Sequence, residues 1–386
     1  MLPVVSFHYN YKNTARTVNI GDYVQTLAVE AFYDRYFPEA RRISLDRDEL
    51  ACYDGEQALV IMQGWFSNPG NLDFIPSPNL TPVFVGTHFS LDIRNELISP
   101  ACDFLARFGK QEIGCRDFST MHYWRAYGGN AYYSRCLTLT FPRRTACPEK
   151  QKKIFWVDVP ERFRPLIPPV FHNQAESVCQ RALRYQPGME SYFKQYARDL
   201  LKKYRDEAAC VVTTAIHCAM PCASMGIPVL FIKTSDKNTA IERWSALNGV
   251  IPVYTESDLE NGIIPDRIPD PLEFEELKEN ILKNTYFACL RAMGQQTDDA
   301  ETAAARKFIA EFNQTHAPSY ESLRTRDAME TLYELWTLKD KLRDFEQAWP
   351  YRIVWPLWKI YAFSRCLKEN GWRYTLDRIR NKPIFK

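Results

Sequence analysis

The 386-residue chain lacks any run of the roughly twenty consecutive apolar residues that a membrane-spanning helix needs, so no bilayer-crossing segment is expected. Its opening, Met1-Leu2-Pro3-Val4-Val5-Ser6-Phe7, has no basic stretch ahead of a long apolar one, and no secretion signal is read there. Charge of one sign is scarce too. Lys and Arg number 49 against 47 Asp and Glu, a formal net of +2, which argues against a phosphate-neutralising surface and hence against nucleic acid as a partner. The eleven cysteines follow no regular spacing, and Cys210, Cys218 and Cys222 lie inside apolar runs, where a thiol packs as a small hydrophobe. Reduced thiols and a cytoplasmic setting are the expectation. Neither an internal repeat nor a low-complexity segment is visible.

What is present points to an α/β protein. A chain of this length with 46% hydrophobic residues can bury two cores. Short apolar runs at Val4–Phe7, Ala58–Met62, Val83–Val85, Ile154–Val157, Cys210–Thr213 and Val229–Ile232 alternate with helical patterns, which predicts buried strands of parallel sheets. After the first run comes a polar loop to Asn19-Ile20-Gly21-Asp22, and then Val24, Leu27, Ala28, Ala31 and Phe32 recur at helical spacing. The pattern breaks at Phe141-Pro142-Arg143-Arg144 and restarts at Ile154. We therefore expect an N-terminal lobe over 1–150, a second α/β lobe over 151–299, and a helical extension over 300–386.

Three segments could carry chemistry. In Thr213-Thr214-Ala215-Ile216-His217, followed by the strand Val229–Ile232, His217 falls where a strand gives way to a helix, and open α/β sheets bind ligands at such edges. A lone His among apolar neighbours is as readily a packing residue. Arg116-Asp117 follows a predicted strand and precedes a helix, so Arg116 could grip a carboxylate or phosphate with paired hydrogen bonds, or simply tie a loop to Asp117. Lys237 lies in the polar segment after Val229–Ile232, where lysines are commonly just solvated. His88 and His122, near the ends of predicted elements, could line a cleft or be ordinary residues. His217, Cys218 and Cys222 lack a fourth ligand in a zinc spacing, so no metal is assigned.

Taken in order, these segments and the Asn19–Asp22 loop resemble the polysaccharide pyruvyl transferase family over most of residues 1–255. The matching features are Gly21-Asp22 with Gln25 on the next helix, Arg116-Asp117, and a Ser/Thr-x-Arg-Leu-His motif leading into a Gly-x-Pro strand. The resemblance implies two Rossmann-like lobes in a GT-B-like arrangement, with donor and acceptor meeting in the cleft between them. It implies phosphoenolpyruvate as donor substrate, no cofactor, and a sugar acceptor, free or polyprenyl-linked. Arg116, His217 and Lys237 would contact the donor, with His217 as acid/base, while Asn19, Gly21, Asp22, Gln25, Asp117 and Thr213 complete the implied substrate-binding set. One position departs from the motif: Ala215 stands where the family has Arg. A methyl group cannot hold an anion, so another cation, such as Arg143, Arg144 or Lys233, has to take over, or the donor has changed. A glycosyltransferase using a nucleotide sugar on the same framework, and a non-catalytic binding protein of glycan assembly, are the competing readings.

Between Lys341 and Lys386, eleven Lys and Arg face four Asp and Glu. Trp355, Leu357, Trp358, Ile360, Tyr361 and Phe363 interleave with Arg352, Lys359, Arg365 and Lys368, a pattern that suits the inner face of a membrane. Burial against the first lobe competes with that reading, because Pro350 and Pro356 interrupt the pattern. On the membrane reading, full-length protein floats with anionic liposomes and a truncation after Gln347 does not; if both stay unbound, the tail is a packing element.

Overall fold

The first strand forms because Val4, Val5 and Phe7 are apolar and every one of them finds cover: β1 (Val4–His8) is buried on both faces. The computed structural model describes residues 1–312, apart from 12–16, 68–69, 182 and 235–240, with scattered positions beyond 338. Met1–Leu323 cluster as one compact unit and Arg324–Lys386 as a second. Most of the basic aromatic tail, and Lys237, lie outside the described residues.

The architecture is mixed α/β with parallel sheets. β1 pairs in parallel with β3 (Arg42–Asp46) on one side and β4 (Ala58–Ile61) on the other, and β6 (Leu80–Val83) pairs with β4. The strand expected at Val83–Val85 thus sits earlier, and Val83 is its last residue. β5 (Gly64–Phe66) and β7 (Thr87–Phe89) resume the paths of β4 and β6 after short breaks, and they pair on through β8 (Ile113–Cys115) to β9 (Ala131–Tyr133). Short segments α2 (Arg94–Leu97) and α3 (Phe104–Phe108) lie between β7 and β8, and α4 (Phe118–Ala126) follows β8. Of this β5-β7-β8-β9 sheet, β8 is the strand expected before Arg116; its three-residue neighbours have no periodicity to read.

The second large sheet has the order β11-β10-β13-β14-β15, from β10 (Lys153–Val157), β11 (Ala175–Val178), β13 (Ala208–Thr213), β14 (Val229–Lys233) and β15 (Val253–Thr255). Alternation sorts its side chains. Phe155, Val157, Val211 and Phe231 face the main core, whereas Ile154, Trp156, Cys210, Val212, Leu230 and Ile232 face a separate apolar cluster with Phe163, Phe171 and Leu259. Helices α5 (Glu190–Glu207) and α6 (Ile216–Ser224) cover the first face; α7 (Glu256–Glu260) and two 3-10 turns cover the second. Cys218 and Cys222 are fully buried in α6, packing as small apolar groups. No helix among the described residues is long and apolar enough to cross a membrane.

Helix α1 (Ile20–Tyr36) joins these layers. Asn19 caps it, accepting the Gly21 N–H at 3.1 Å, and Asp22 adds a favourable negative charge to the first turn. Gly21 and Asp22 are therefore helical rather than part of the expected loop. Pro38 follows the C-cap and stops the helix. Tyr9 and Tyr11, just beyond β1, donate their hydroxyls to the Asp22 and Asn19 carbonyls, and Ile20 N–H bonds to the Gln180 carbonyl beyond β11. A strand pair, β2 (Thr17–Val18) with β12 (Leu183–Arg184), reinforces that link. Helices α8 (Glu275–Ala292) and α9 (Asp299–Glu311) return to the first sheet side: α8 contacts β4 and β6, with Tyr286 stacked on Tyr36, and α9 reaches β9. The return begins at α8, well before the residue-300 start expected for the helical extension.

Gly21 is set by close approach. A Cβ there would sit 2.9 Å from the His217 Cβ, so α1 and α6 touch through a missing side chain. Gly21→Ala should lower the unfolding free energy in urea by about 1–3 kcal/mol through overpacking; an unchanged value would mean that the helices do not meet there.

Candidate functional site

In order of appearance, the strands of the second sheet lie 2-1-3-4-5 across it, so the chain reverses direction between β10 and β13. The crevice beyond the carboxyl ends of such strands is where open α/β sheets hold ligands. Asp158 follows β10, in a left-handed conformation (φ 52°), and Thr214 follows β13. Thr214 donates its hydroxyl to the Asp158 carbonyl at 2.8 Å, which ties the two strand ends together. Thr213 donates to the Val157 carbonyl and accepts the Ala215 N–H, so its hydroxyl is engaged by backbone on both sides. Ala215 is the N-cap of α6 and supplies no side-chain cap, leaving the first turn of that helix bare of a capping oxygen.

His217, in the first turn of α6, meets Arg116 from the turn after β8. The Arg116 Nη1 lies 3.2 Å from the His217 Nε2 and 3.1 Å from the Gln25 Oε1 on α1. Arginine only donates, so His217 accepts through Nε2 and carries its proton on Nδ1. That Nδ1, and the Nε and Nη2 of Arg116, are buried with no hydrogen-bond partner among the described residues. Arg116 Nε is 3.7 Å from the Asp117 Oδ2, an ion-pair distance too long for a hydrogen bond. Burial, and then the neighbouring Arg116 and Arg243 charges, hold the His217 pKa well below its usual value, so the imidazole is neutral at pH 7.

Behind Arg116 stands a pair of groups that reading the chain did not connect. The Asp117 carboxylate caps α4 through the Thr120 N–H and accepts from the His88 Nδ1 at 2.6 Å. Burial disfavours both charges. For His88 it outweighs Asp117 and pushes the pKa down to about 4; for Asp117, His88, Arg116 and the Thr120 N–H overcome burial and hold it down at about 2. Asp117 is thus an ionised anchor for a neutral imidazole. On the other side, Gln25 reaches the Asp22 Oδ1 at 3.4 Å, and Asp22 lies 3.7 Å from the Arg47 Nη1. Burial raises the Asp22 pKa against the pull of Arg47, which is itself held charged by Asp48 and Asp22.

Of this cluster His217 borders a cavity of about 180 Å³, lined from one side by Asn19, Gly21, Gln180 and Arg181 and from the start of α6 by Thr214 through His217. Trp65, Thr234, Arg243 and Trp244 form its remaining wall. A larger cavity of about 400 Å³ lies among Pro252, Pro265, Pro269 and Pro271, at the amino end of β14, away from these titratable groups. Chemistry selects the smaller one.

Of the cations expected to replace the missing motif arginine, Arg143 pairs with Glu273, and Arg144 donates to the carbonyl of Ala208 at the start of β13; both are at the wrong end of the strands. Lys233 closes β14, one residue before the cavity. The arginines that do line the cavity, Arg181 and Arg243, were missed. Arg181 was within reach of the strand-end rule, since it follows β11; Arg243 sits in a 3-10 turn, Ile241–Leu247, that has no strand signal.

Parallel sheets with an arginine–histidine cluster beyond their carboxyl ends define an α/β enzyme framework. A family model described as polysaccharide pyruvyl transferase matches residues 19–236, more than half of the chain. The chain belongs to that family and is a transferase of polysaccharide biosynthesis. The match takes in Asn19, Gln25, Arg116, Thr213 and His217 and stops just short of Lys237. No curated protein matches the sequence. Among solved structures, a functionally uncharacterised protein from Klebsiella pneumoniae is 14% identical, with 66% of this chain and 93% of that chain covered and a TM-score of 0.40. The MnaA–UDP co-structure from S. aureus is 8% identical, with 78% and 100% covered and a TM-score of 0.39. Likenesses this distant carry nothing about the chemistry.

The two depressed histidines give stability a pH dependence with a definite sign. Between pH 6.5 and about 4 the unfolded chain binds protons that folded His88 refuses, so stability falls as the pH drops through that window. His88 alone should account for about 2 kcal/mol between pH 7 and 5, measured by urea unfolding. His88→Gln should show a shallower decline by that amount; an identical slope would mean that His88 is not buried neutral.

Proposed function

We propose that the protein transfers the pyruvyl group of phosphoenolpyruvate to a hexose of a cell-surface polysaccharide precursor as a cyclic ketal. The observation that carries this reading is the convergence of unmatched donors. Among the described residues, His217 brings one unmatched buried nitrogen to a cavity of about 180 Å³, and Arg116, which bonds to His217 without itself lining the cavity, has two more. That is below the roughly 300 Å³ at which pockets for drug-sized ligands begin, and in keeping with a three-carbon phosphorylated acid. Buried donors without acceptors are costly, and an anionic ligand is the natural remedy.

In the proposed reaction a proton is delivered to the vinyl methylene carbon of the donor and one sugar hydroxyl attacks the central carbon. The carbon–oxygen bond to phosphate then breaks, and a neighbouring hydroxyl attacks the same carbon to close the ring; the products are the ketal and inorganic phosphate. Arg116 holds donor charge, and His217 handles the proton. His217 is neutral at pH 7, held so by burial and Arg116. Seating a carboxylate and a phosphate beside it reverses the local potential, so proton uptake should accompany binding. Asn19 and Gly21 line the same cavity, whereas Asp22, Gln25 and Asp117 serve chiefly by setting the positions of α1 and Arg116. On this reading the sheets act as two GT-B-like lobes with the acceptor entering between them, and the protein works in the cytoplasm on a polyprenyl-linked sugar at the inner membrane face.

Calorimetric titration with phosphoenolpyruvate, in buffers of different ionisation heat at pH 7, is the test. Wild type should bind with net proton uptake. Arg116→Ala should lose about tenfold or more in affinity, the worth of a charge-assisted hydrogen bond, and His217→Gln should bind without the uptake. Absence of phosphoenolpyruvate binding, with UDP bound instead, would replace this reading with a nucleotide-sugar transferase, which the methyl group at Ala215 would also allow.

A further inference from the structure

Trp65 is the middle residue of β5, between Gly64 and Phe66, which are both buried. Alternation sends the Phe66 ring into the core against Phe74 and Phe89 and turns the Trp65 indole to the other side of the strand, where it lines the cavity together with His217. Exposure orders that wall. Trp65 is 37% exposed, against 7% for Trp244 and 6% for His217, so the Trp65 indole stands at the mouth and the imidazole lies within. The Arg243 guanidinium covers one face of the ring, its carbon 5.1 Å from the ring centre, and braces the indole from that side. Two amides border the same cavity. Asn19 uses its Oδ1 on the Gly21 N–H and Gln180 its Nε2 on the Tyr204 hydroxyl, which leaves the Asn19 Nδ2 as a donor and the Gln180 Oε1 as an acceptor without a partner among the described residues.

We propose that Trp65 is the platform for the acceptor: the C–H face of a pyranose stacks on the open side of the indole, and the Asn19 and Gln180 amides bond hydroxyls at its edge. The inference rests on the transferase reading above and adds where the sugar sits, on a residue that belongs to none of the motif segments. A pyranose has two unlike surfaces, an apolar face of C–H bonds and an edge of hydroxyls that both donate and accept. An exposed aromatic ring beside a free amide donor and a free amide acceptor matches both. Stacking there also takes apolar surface of Trp65 out of water, a favourable change that the ring does not obtain within the chain. The depth order suits a reaction between two substrates, since a small donor held at His217 goes in first and the sugar then closes the mouth over it. A nucleobase could stack on the same ring. In a nucleotide sugar, however, a ribose and a diphosphate separate the base from the carbon that is transferred, and the cavity of about 180 Å³ shared by Trp65 and His217 is too small to hold both.

The test is NMR of the full chain carrying nitrogen-15 in its tryptophans, with Trp65→Phe identifying the Trp65 indole N–H signal. Methyl glycosides of glucose, galactose, mannose and N-acetylglucosamine are titrated with and without phosphoenolpyruvate, and UDP is titrated separately. At least one glycoside should shift the Trp65 signal saturably, and saturation transfer from protein to that glycoside should favour the protons of one ring face. Trp65→Ala should raise its half-saturating concentration about tenfold, the worth of an aromatic stacking contact. Trp65→Phe should stay within about threefold of wild type, and phosphoenolpyruvate affinity should stay within about threefold in both variants. A signal that no glycoside moves, a shift with UDP alone, or unchanged glycoside affinity in Trp65→Ala overturns the proposal. The two readings fail separately. Glycoside shifts without any phosphoenolpyruvate binding uphold the sugar platform while the pyruvyl reading falls, and phosphoenolpyruvate binding without a glycoside shift does the reverse.

Discussion

Burying a guanidinium is expensive, and Arg116 is buried completely. Everything around it can be understood as a response to that cost. Gln25 from α1 and His217 from α6 each accept from the same nitrogen, and Asp117 supplies a countercharge at 3.7 Å. Three elements that are remote in sequence are thereby forced into one arrangement, because an unpaired buried charge would be worse than any of the distortions needed to reach it. The compensation is incomplete. Among the described residues, two of the three Arg116 nitrogens have no acceptor and one nitrogen of His217 has no partner, an imbalance that an anion would relieve.

The supporting structure pays attention to the same problem at a distance. Asp22, Arg47 and Asp48 form a second buried charge group that holds the first turn of α1 in place, with the Tyr9 and Tyr11 hydroxyls closing over its carbonyls. His88, kept neutral by burial, bonds to Asp117, which stays ionised beside Arg116. Gly21 lets α1 approach α6 closely enough for Gln25 and His217 to share one arginine. A set of residues that resembles a substrate-binding list is thus in large part a positioning scaffold. Asp22, Gln25, Asp117 and Thr213 act on the backbone or on Arg116, while Asn19 and His217 also border the cavity.

Ala215 divides family from activity. Membership follows from the match over residues 19–236 and does not depend on any one side chain. The grip on the donor depends on where positive charge stands in space, and an α/β cavity draws its walls from several loops, so a cation lost from one can be supplied by another. Arg143 and Arg144 are nearer to the motif in composition than in space: they serve the amino ends of β13 and β14. Arg181 and Arg243 line the cavity, and neither belongs to the motif.

Sequence by itself determined the element types and the strand-end location of the candidate residues. Those properties are local: apolar runs of four to six residues at β1, β4, β10, β13 and β14 are read within a few positions. Three-residue strands such as β5, β7 and β9, and the 3-10 turn Ile241–Leu247, left no period to read. Only the tertiary structure decided which candidates meet. Gln25 and Arg116 are 91 residues apart and Arg116 and His217 are 101 apart, so their contact is set by sheet order and helix packing, which no local pattern encodes. The same holds for the identity of the cavity cations and for the neutrality of His217 and His88, since a charge or a pKa at a buried site is fixed by what surrounds it in space.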